Sequence, residues 1–188
     1  MIKKLSKDQI SNVIWILAIV LILFTPLGFY ARVLVGKVFA TSANIIEIDN
    51  REKLKAYNWK LKDLEGNGIS FSDLKGEVVL INFWATWCPP CVAEMPSLND
   101  LYQDYHEKIA FVFVANDQKE KVVSFLDKKQ YGFPVFFETL STPDLLISRS
   151  IPATYILSKS GEIVVAEKGA ADWNSQSTRE LLDQLLQE

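Results

Sequence analysis

The feature that most constrains the fold of this 188-residue chain is an apolar run that leads into its only two cysteines. Residues 78–84 read VVLINFW and predict a buried central strand, because the run is too apolar for the edge of a sheet. From Pro89 to about Tyr105 the apolar spacing becomes helical. Between the two lies the segment WATWCPPC, with Cys88 and Cys91 three positions apart. The sequence therefore places the cysteine pair where a buried strand gives way to a helix.

The rest of the chain alternates between strand-like and helix-like periods. Turn-forming residues at 65–68 and 159–162 predict two hairpins. Ser177 and Glu180 have the spacing of a capping box and predict the start of a final helix. The predicted elements are strands at 57–61, 69–71, 109–115, 134–137, 153–157 and 163–166, and helices at 119–130, 143–148 and from 177 onward. This order of elements predicts an α/β domain with a mixed sheet.

A Cys-x-x-Cys pair can be a redox dithiol, part of a zinc site or a structural disulfide. Zinc normally takes four ligands, and the only histidine, His106, is expected on the surface near a helix end. A disulfide that closes so short a loop gains little entropy. At a helix start, free backbone N–H groups and the helix dipole stabilise a thiolate. We therefore predict a redox dithiol with Cys88 as the exposed nucleophile and Cys91 as the resolving cysteine, with no metal and no cofactor beyond their disulfide.

The N-terminal segment carries the second strong signal. Val13–Ala31 is nineteen residues without a charge, long enough at about 1.5 Å per residue to cross a hydrocarbon core of roughly 30 Å. The alternative is a cleaved signal peptide, with small-residue sites near 38–40 or 41–43. Those sites lie far beyond the apolar run, with Pro26 and Gly28 in between, so an uncleaved anchor is favoured. The flanking basic residues slightly favour an N-terminus on the cytoplasmic side.

These signals divide the chain into a cytoplasmic N-terminus at 1–12, a transmembrane anchor at 13–31, a linker at 32–50 and the α/β domain at 51–188. Beyond residue 37 the chain holds 15 basic and 22 acidic residues, a formal charge of −7. Such an acidic body lacks the basic face that binding to phosphates requires. Nucleic acid is therefore excluded as a partner, whereas the membrane is expected to bind the N-terminal helix.

The segment NFWATWCPPCVAEMP resembles the active-site segment of thioredoxin-fold proteins, and specifically of the membrane-anchored TlpA/ResA-like thiol-disulfide oxidoreductases. The resemblance covers about 57–188 and implies a thioredoxin-like three-layer fold. In that fold a mixed sheet of four or five strands carries helices on both faces, preceded here by one transmembrane helix. Pro96 lies where thioredoxin-like proteins kink the active-site helix. The strand and helix between Phe133 and Ser148 resemble the insertion that separates this group from plain thioredoxins.

The resemblance also implies which residues contact the substrate. Pro152 matches the family's cis-proline, although only about 5 to 6% of X–Pro bonds in folded proteins are cis. The backbone of Ile151 would then be exposed and would pair with a substrate segment as an added strand. Trp87 would shield the nucleophile and offer substrates a flat surface. The implied substrate-binding residues are Trp87, Pro89, Pro90, Ile151 and Pro152.

Asn82 and Glu94 mark a departure from thioredoxin. Thioredoxins carry a buried aspartate six residues before the first cysteine, where it serves proton transfer, and Asn82 cannot take that role. Glu94 is spaced i, i+3 from Cys91 and can share a helix face with it. A helical glutamate is by itself more often solvated. Because TlpA/ResA-like proteins carry a glutamate at this position, the resemblance implies a catalytic Glu94.

The residues between the cysteines bear on the direction of electron flow. Pro90 has no N–H, which leaves the Cys91 N–H as the main backbone donor to a Cys88 thiolate. Strong oxidants owe their potential to a highly stabilised reduced form, so the motif predicts a reductant. The resemblance then implies a disulfide reductase of the cytoplasmic (inner) membrane whose catalytic domain faces the periplasm or extracytoplasmic side. Electrons would pass from a membrane thiol donor to protein disulfide substrates, with apocytochrome c during cytochrome c maturation as the implied class. A disulfide oxidase or isomerase, and a copper- or thiol-binding module without turnover, remain alternatives.

Overall fold

The computed structural model describes residues 6–140 and 142–188, so the first five residues of the predicted cytoplasmic N-terminus lie outside the described residues. The described residues form five α-helices and three short 3-10 helices. The α-helices are α1 Lys7–Phe24, α2 Pro26–Phe39, α3 Pro89–Tyr105, α4 Lys119–Lys129 and α5 Gln176–Gln187. The 3-10 helices are Ile48–Asn50, Phe71–Leu74 and Asp144–Leu146.

Seven strands form one mixed sheet in the order β2-β1-β5-β4-β3-β6-β7. The strands are β1 Lys60–Lys62, β2 Gly68–Ser70, β3 Val79–Trp84, β4 Ala110–Ala115, β5 Val135–Glu138, β6 Ala153–Leu157 and β7 Ile163–Lys168. β3 and β4 pair in parallel, as do β4 and β5, whereas the remaining pairs are antiparallel. The predicted α/β fold with a mixed sheet is confirmed, with more strands than the resemblance implies.

β3 is an interior strand between β4 and β6, as the sequence predicts for a buried strand, and it buries side chains on both of its faces. Leu80 and Trp84 belong to one apolar cluster, whereas Val79 and Ile81 belong to a second one. The helices α3, α4 and α5 all contribute to the first cluster. The second cluster is completed by the segment 54–74 and by the 3-10 helix Asp144–Leu146. The resemblance implies helices on both faces, and here 3-10 helices take that place on the second face because the segments there are short.

The N-terminal segment folds differently from the single helix predicted over Val13–Ala31. It breaks at Thr25, whose extended backbone separates α1 from α2. The cause is local, because Pro26 occupies the first turn of α2, where its missing N–H costs nothing, and Thr25 Oγ1 caps the new helix. None of the described helices is by itself long and apolar enough for a membrane span. Taken together, Lys7–Leu21 and Pro26–Phe39 meet that length and composition with a bend of 75° between them.

The residues that follow the break lie against the α/β domain. α2 packs on α3 so closely that a Cβ added to Gly36 would lie 3.1 Å from the Cβ of Ala93. Residues 32–39 of the predicted linker are thus helical, and the rest of it runs along the outer edge of β7, where the Ile46 N–H donates to Val164 O at 2.8 Å. Further on, the Asp172 N–H donates to Thr41 O at 2.9 Å. The edge of the sheet beside β7 is thereby covered by backbone hydrogen bonds.

One predicted helix boundary is wrong. The capping box of Ser177 and Glu180 does not form, because α5 begins at Gln176 and both residues lie inside it. Ser175 is the N-cap, and its Oγ accepts a hydrogen bond from the Thr178 N–H at 3.4 Å. Ser175 and Ser177 have the same side-chain chemistry two positions apart, and the helix begins after the earlier one.

Candidate active site

The two cysteines lie at the N-terminus of α3, where β3 has just ended. Cys88 is the N-cap residue of the helix and is joined to Cys91 by a disulfide, with their Cα atoms 5.3 Å apart. The Cys91 N–H donates to Cys88 Sγ at 3.3 Å. Pro89 and Pro90 occupy the positions between and have no N–H to donate. A Cys88 thiolate at this place would receive one backbone hydrogen bond and the positive end of the helix dipole.

Cys88 was expected to be exposed, and that expectation is wrong for the oxidised form. Its exposed fraction is 3%, and that of Cys91 is 0%. In this disulfide form Cys88 belongs to the apolar cluster on that side of the sheet. Trp87, the preceding residue, is instead 58% exposed and presents its ring to solvent. Access to the sulfur of this form therefore requires local opening at the start of α3.

Glu94 is buried one turn beyond Cys91 on α3, with an exposed fraction of 1%. Its Oε1 accepts a hydrogen bond from Asn82 Nδ2 at 2.8 Å. Its Oε2 accepts from Trp173 Nε1 at 3.0 Å and from the Ala171 N–H at 3.3 Å. Burial raises the pKa of Glu94 to about 7, and the three donors partly offset that rise. The solvated alternative for this glutamate is thereby rejected, and the carboxyl group can exchange a proton near neutral pH.

Two elements outside α3 hold this carboxyl group, and a third, β6, holds Asn82. Asn82 lies in β3, directly across the ladder from Thr154 of β6. Trp173 and Ala171 belong to the loop between β7 and α5. The sequence reasoning assigned no role to Thr154, Ala171 or Trp173. No local pattern marks them, since a tryptophan after a hairpin is ordinarily read as part of the core, and Trp173 is indeed fully buried.

A second carboxylate fixes the turn before the cysteines. Asp117, which follows β4, accepts hydrogen bonds from the backbone N–H of Thr86 at 3.1 Å and from the Thr86 hydroxyl. This contact ties the turn between β3 and α3 to the end of the neighbouring strand. The sequence reasoning missed it as well, because it joins residues 31 positions apart.

Ile151 and Pro152 lie at the same end of the sheet as the cysteines. Ala153 pairs with Phe83 near the end of β3, so the two residues before Ala153 lie beside the turn that carries the cysteines. The Ile151–Pro152 peptide bond is cis, as the resemblance implies. Ile151 is half-buried against the cluster that contains both cysteines. Among the described residues, neither backbone polar group of Ile151 takes part in a backbone hydrogen bond.

In the described part of the chain, no three or more His, Cys, Asp and Glu side chains are grouped so that they could hold a metal ion. His106 is exposed at the C-terminal end of α3, as expected. A disulfide at the start of a helix and a buried carboxyl group one turn away together define the chemistry of thiol-disulfide exchange.

Fold and site thus define a thioredoxin-like thiol-disulfide oxidoreductase, and comparison with known proteins agrees. A family model described as the AhpC/TSA family matches residues 53–166, and the chain belongs to that family. The thiol-disulfide oxidoreductase ResA of Halalkalibacterium halodurans is 37% identical over 118 residues, which cover 61% of this chain and 67% of the relative. The thioredoxin-like protein YneN of Bacillus subtilis is 38% identical over 121 residues, 62% of this chain and 71% of the relative.

Solved structures agree with the fold. The crystal structure of a thiol:disulfide interchange protein DsbE from Chlorobium tepidum matches with a TM-score of 0.61 at 24% identity, covering 72% of this chain and 98% of that one. A thiol-disulfide oxidoreductase from Bacteroides vulgatus matches with a TM-score of 0.56 at 28% identity, covering 67% and 90%. The resemblance drawn from the active-site segment is thereby confirmed at the level of family, fold and enzyme class.

Proposed function

We propose that the protein reduces disulfides of extracytoplasmic proteins through the Cys88–Cys91 dithiol. The observation that carries this proposal is the redox pair at the start of α3 with the buried Glu94 one turn behind it. Glu94 and Cys91 are spaced i, i+3 on the helix, which places their side chains on one face, and we assign the transfer of a proton to this pair. A structural disulfide would have no use for a titratable group at this depth.

The reaction has two steps in this proposal. The thiolate of reduced Cys88 attacks one sulfur of the substrate disulfide, so a mixed disulfide forms and the other substrate sulfur leaves as a thiolate. Glu94 then takes the proton from the Cys91 thiol, and the Cys91 thiolate attacks Cys88 Sγ. The Cys88–Cys91 disulfide forms, the bond to the substrate breaks, and the second substrate sulfur leaves as a thiolate. Two electrons pass from the protein to the substrate, and a membrane thiol donor returns them.

Substrate contact is assigned to the surface around the pair. The free backbone groups of Ile151, next to Pro152, are placed to pair with an extended substrate segment. Trp87 adds an exposed aromatic ring beside the nucleophile. Pro89 and Pro90 complete this surface at the first turn of α3, where both are half-buried.

The direction of electron flow follows from how little the protein does to stabilise a Cys88 thiolate. One backbone donor reaches Cys88 Sγ, and the two prolines remove the other candidates. A weakly stabilised thiolate makes the reduced form a better electron donor, and this favours a reductase over a disulfide oxidase or isomerase. The relatives named as ResA and the DsbE-like structure bear names of thiol-disulfide exchange proteins. Apocytochrome c with oxidised haem-attachment cysteines is the substrate class that we assign.

The membrane is assigned as the place of action. α1 and α2 expose a large apolar surface. A surface of this kind marks a site of contact with a membrane or another protein. The most exposed apolar side chains there are Ile14, Trp15, Ile16, Leu17, Leu27, Leu34, Val38 and Phe39. We assign this surface to the cytoplasmic membrane, with the catalytic domain on the extracytoplasmic side.

Trapping of mixed disulfides tests the proposal. Cys91→Ala should accumulate mixed disulfides through Cys88, whereas Cys88→Ala should accumulate none, because only Cys88 makes the first attack. Mass spectrometry of the full chain with a peptide that carries an oxidised Cys-x-x-Cys-His segment measures both. Equal trapping by the two variants would contradict the division of roles. A reduction potential near that of strong oxidants, about −120 mV, would contradict the reductase direction.

A further inference from the structure

One buried polar atom beside Glu94 has no hydrogen-bond partner. Asn82 is fully buried, and its Nδ2 donates to Glu94 Oε1 at 2.8 Å and to Thr154 Oγ1 at 2.7 Å. These two bonds use both hydrogens of the amide. The Oδ1 atom of Asn82 has no partner among the described residues. An unpaired buried acceptor is costly, and among the described side chains bonded to the Glu94 carboxyl group it belongs to the one that can also accept a hydrogen bond.

The hydrogen bonds around Glu94 fit the charged carboxylate and not the acid. All three contacts of the carboxyl group are donors: Asn82, Trp173 and the Ala171 N–H. A protonated carboxyl group adds an O–H that must find an acceptor. The indole N–H and the backbone N–H, which both face Oε2, can only donate. Asn82 differs from them, because a half-turn of its amide exchanges Nδ2 for Oδ1.

We propose that Asn82 is a positioning residue whose amide follows the protonation state of Glu94. With the carboxylate charged, Nδ2 faces Glu94, as the structure has it. When Glu94 takes a proton on Oε1, the amide turns over, and Oδ1 accepts from both the Glu94 O–H and the Thr154 hydroxyl. The unpaired atom is then Nδ2 instead of Oδ1. The number of hydrogen bonds that Asn82 makes is two in both states, so neither form of Glu94 is left without a partner.

This inference rests on the proposed function in one respect, the exchange of a proton between Cys91 and Glu94. In that step the Sγ–H bond of Cys91 breaks, the O–H bond of Glu94 forms, and no electron changes hands. A pKa of about 7 for Glu94 accords with two nearly balanced forms. The other charged group that acts on it is Glu167 of β7, whose negative charge raises the pKa of Glu94. Asn82 thus supplies what an aspartate here could not, a partner that stays neutral in both states.

Nuclear magnetic resonance of the oxidised full chain in lipid nanodiscs tests the turn of the amide. In the wild type, the nuclear Overhauser contacts from the two Asn82 side-chain amide protons to Thr154 should be strong at about pH 9 and lost at about pH 5. The midpoint should equal the pKa of Glu94, followed by its ¹³C-labelled carboxyl group. Glu94→Gln is the matched control, because its NH₂ group must donate to Asn82 as the acid does. The variant should show the low-pH pattern at every pH.

The outcomes separate the inference from the proposed function. Amide contacts that stay unchanged while the Glu94 carboxyl titrates would overturn the inference, as would a Glu94→Gln variant that keeps the high-pH pattern. A turn of the amide combined with unchanged disulfide exchange in Glu94→Gln would support the inference and contradict the catalytic use of Glu94. Because the decisive titration uses the wild type, the test does not depend on whether the variant folds.

Discussion

α3 carries two groups that can become anionic, the Cys88 thiol and the Glu94 carboxyl group, and the protein stabilises their charges to different degrees. At the first turn of α3, a Cys88 thiolate can receive one backbone hydrogen bond, since Pro89 and Pro90 have none to give. One turn further on, the Glu94 carboxyl group receives three hydrogen bonds, all of them from outside α3. The first site leaves its charge weakly stabilised, which suits an electron donor. The second surrounds its charge with partners yet buries it deeply, which holds its pKa near neutrality.

The largest expected effect concerns the stability cost of burying Glu94. Its pKa is about 7 in the folded protein against an ordinary 4.5, so between these values the folded state binds more protons than the unfolded state. The free energy of unfolding should therefore fall as pH rises from about 4.5 to about 7, by roughly 3 kcal/mol at 1.36 kcal/mol per pH unit, and level off above. Glu94→Gln should lack this fall.

Urea unfolding of the oxidised wild type and of Glu94→Gln at both ends of that range measures the difference. Each variant serves as its own reference at low pH, where both side chains are neutral. A wild type whose stability changes with pH in parallel with Glu94→Gln would show that Glu94 titrates in its ordinary range.

Trp173→Phe should have the next largest effect. It removes one of the two donors to Oε2 and keeps an aromatic ring in the core. The loss of a hydrogen bond to a charged group costs about 1.5 to 3 kcal/mol, and the pKa of Glu94 should rise further above 7. Carboxyl ¹³C titration measures the pKa. The same substitution in the Glu94→Gln background controls for lost packing. An unchanged pKa of Glu94 would show that the Trp173 indole does not stabilise the carboxylate.

Pro90→Ala sharpens the comparison from the side of the cysteines. It restores an N–H at the second helical position, which can donate to Cys88 Sγ. About 1 kcal/mol of added stabilisation of the thiolate would lower the pKa of Cys88 and raise the reduction potential by roughly 20 mV. Pro89→Ala is the matched control, since an N–H at the first helical position is not a partner of the cap. Redox titration against glutathione measures the reduction potential of each variant. Equal shifts of the potential in the two variants would contradict the role assigned to the missing N–H of Pro90.

Trp87→Ala should have the smallest effect on the fold. The side chain is 58% exposed, so the free energy of unfolding should change by no more than about 0.5 kcal/mol. If the ring contacts protein substrates, the KM for a protein disulfide should rise several-fold, whereas the rate with a small disulfide should stay the same. A parallel loss with both substrates would place the ring in the chemistry of Cys88 instead.

Much of the fold and the centre of the site could be predicted from the sequence. The run 78–84, the helix from Pro89 and the terminal hairpin are local patterns, and the structure confirms them. The placement of the cysteines at the start of α3 followed from the same patterns. The burial of Glu94 needed the resemblance, because a glutamate at a helical position carries no local sign of its environment.

The rest depended on contacts between distant segments. Trp173 contacts Glu94 and Thr154 contacts Asn82 through the tertiary fold, so no window of sequence could have marked them. The break at Thr25 was missed because an average over nineteen apolar residues hides a single proline, although Pro26 at a helix start is a recognisable signal. The burial of Cys88 was missed because exposure was inferred from its position at a helix start alone, whereas burial depends on what packs around that turn.

The role of Glu94 as the proton acceptor of Cys91 is tested most directly by stopped-flow kinetics of the second step. A mixed disulfide preformed on Cys88 is released by Cys91, and the rate is followed across pH in the wild type and in Glu94→Gln. The variant should resolve the mixed disulfide at least about 10²-fold more slowly near pH 7, and the gap should narrow as the pH approaches the ordinary thiol pKa of about 8.5. Superimposable rate profiles for the two proteins would contradict the proton transfer and leave that step to water.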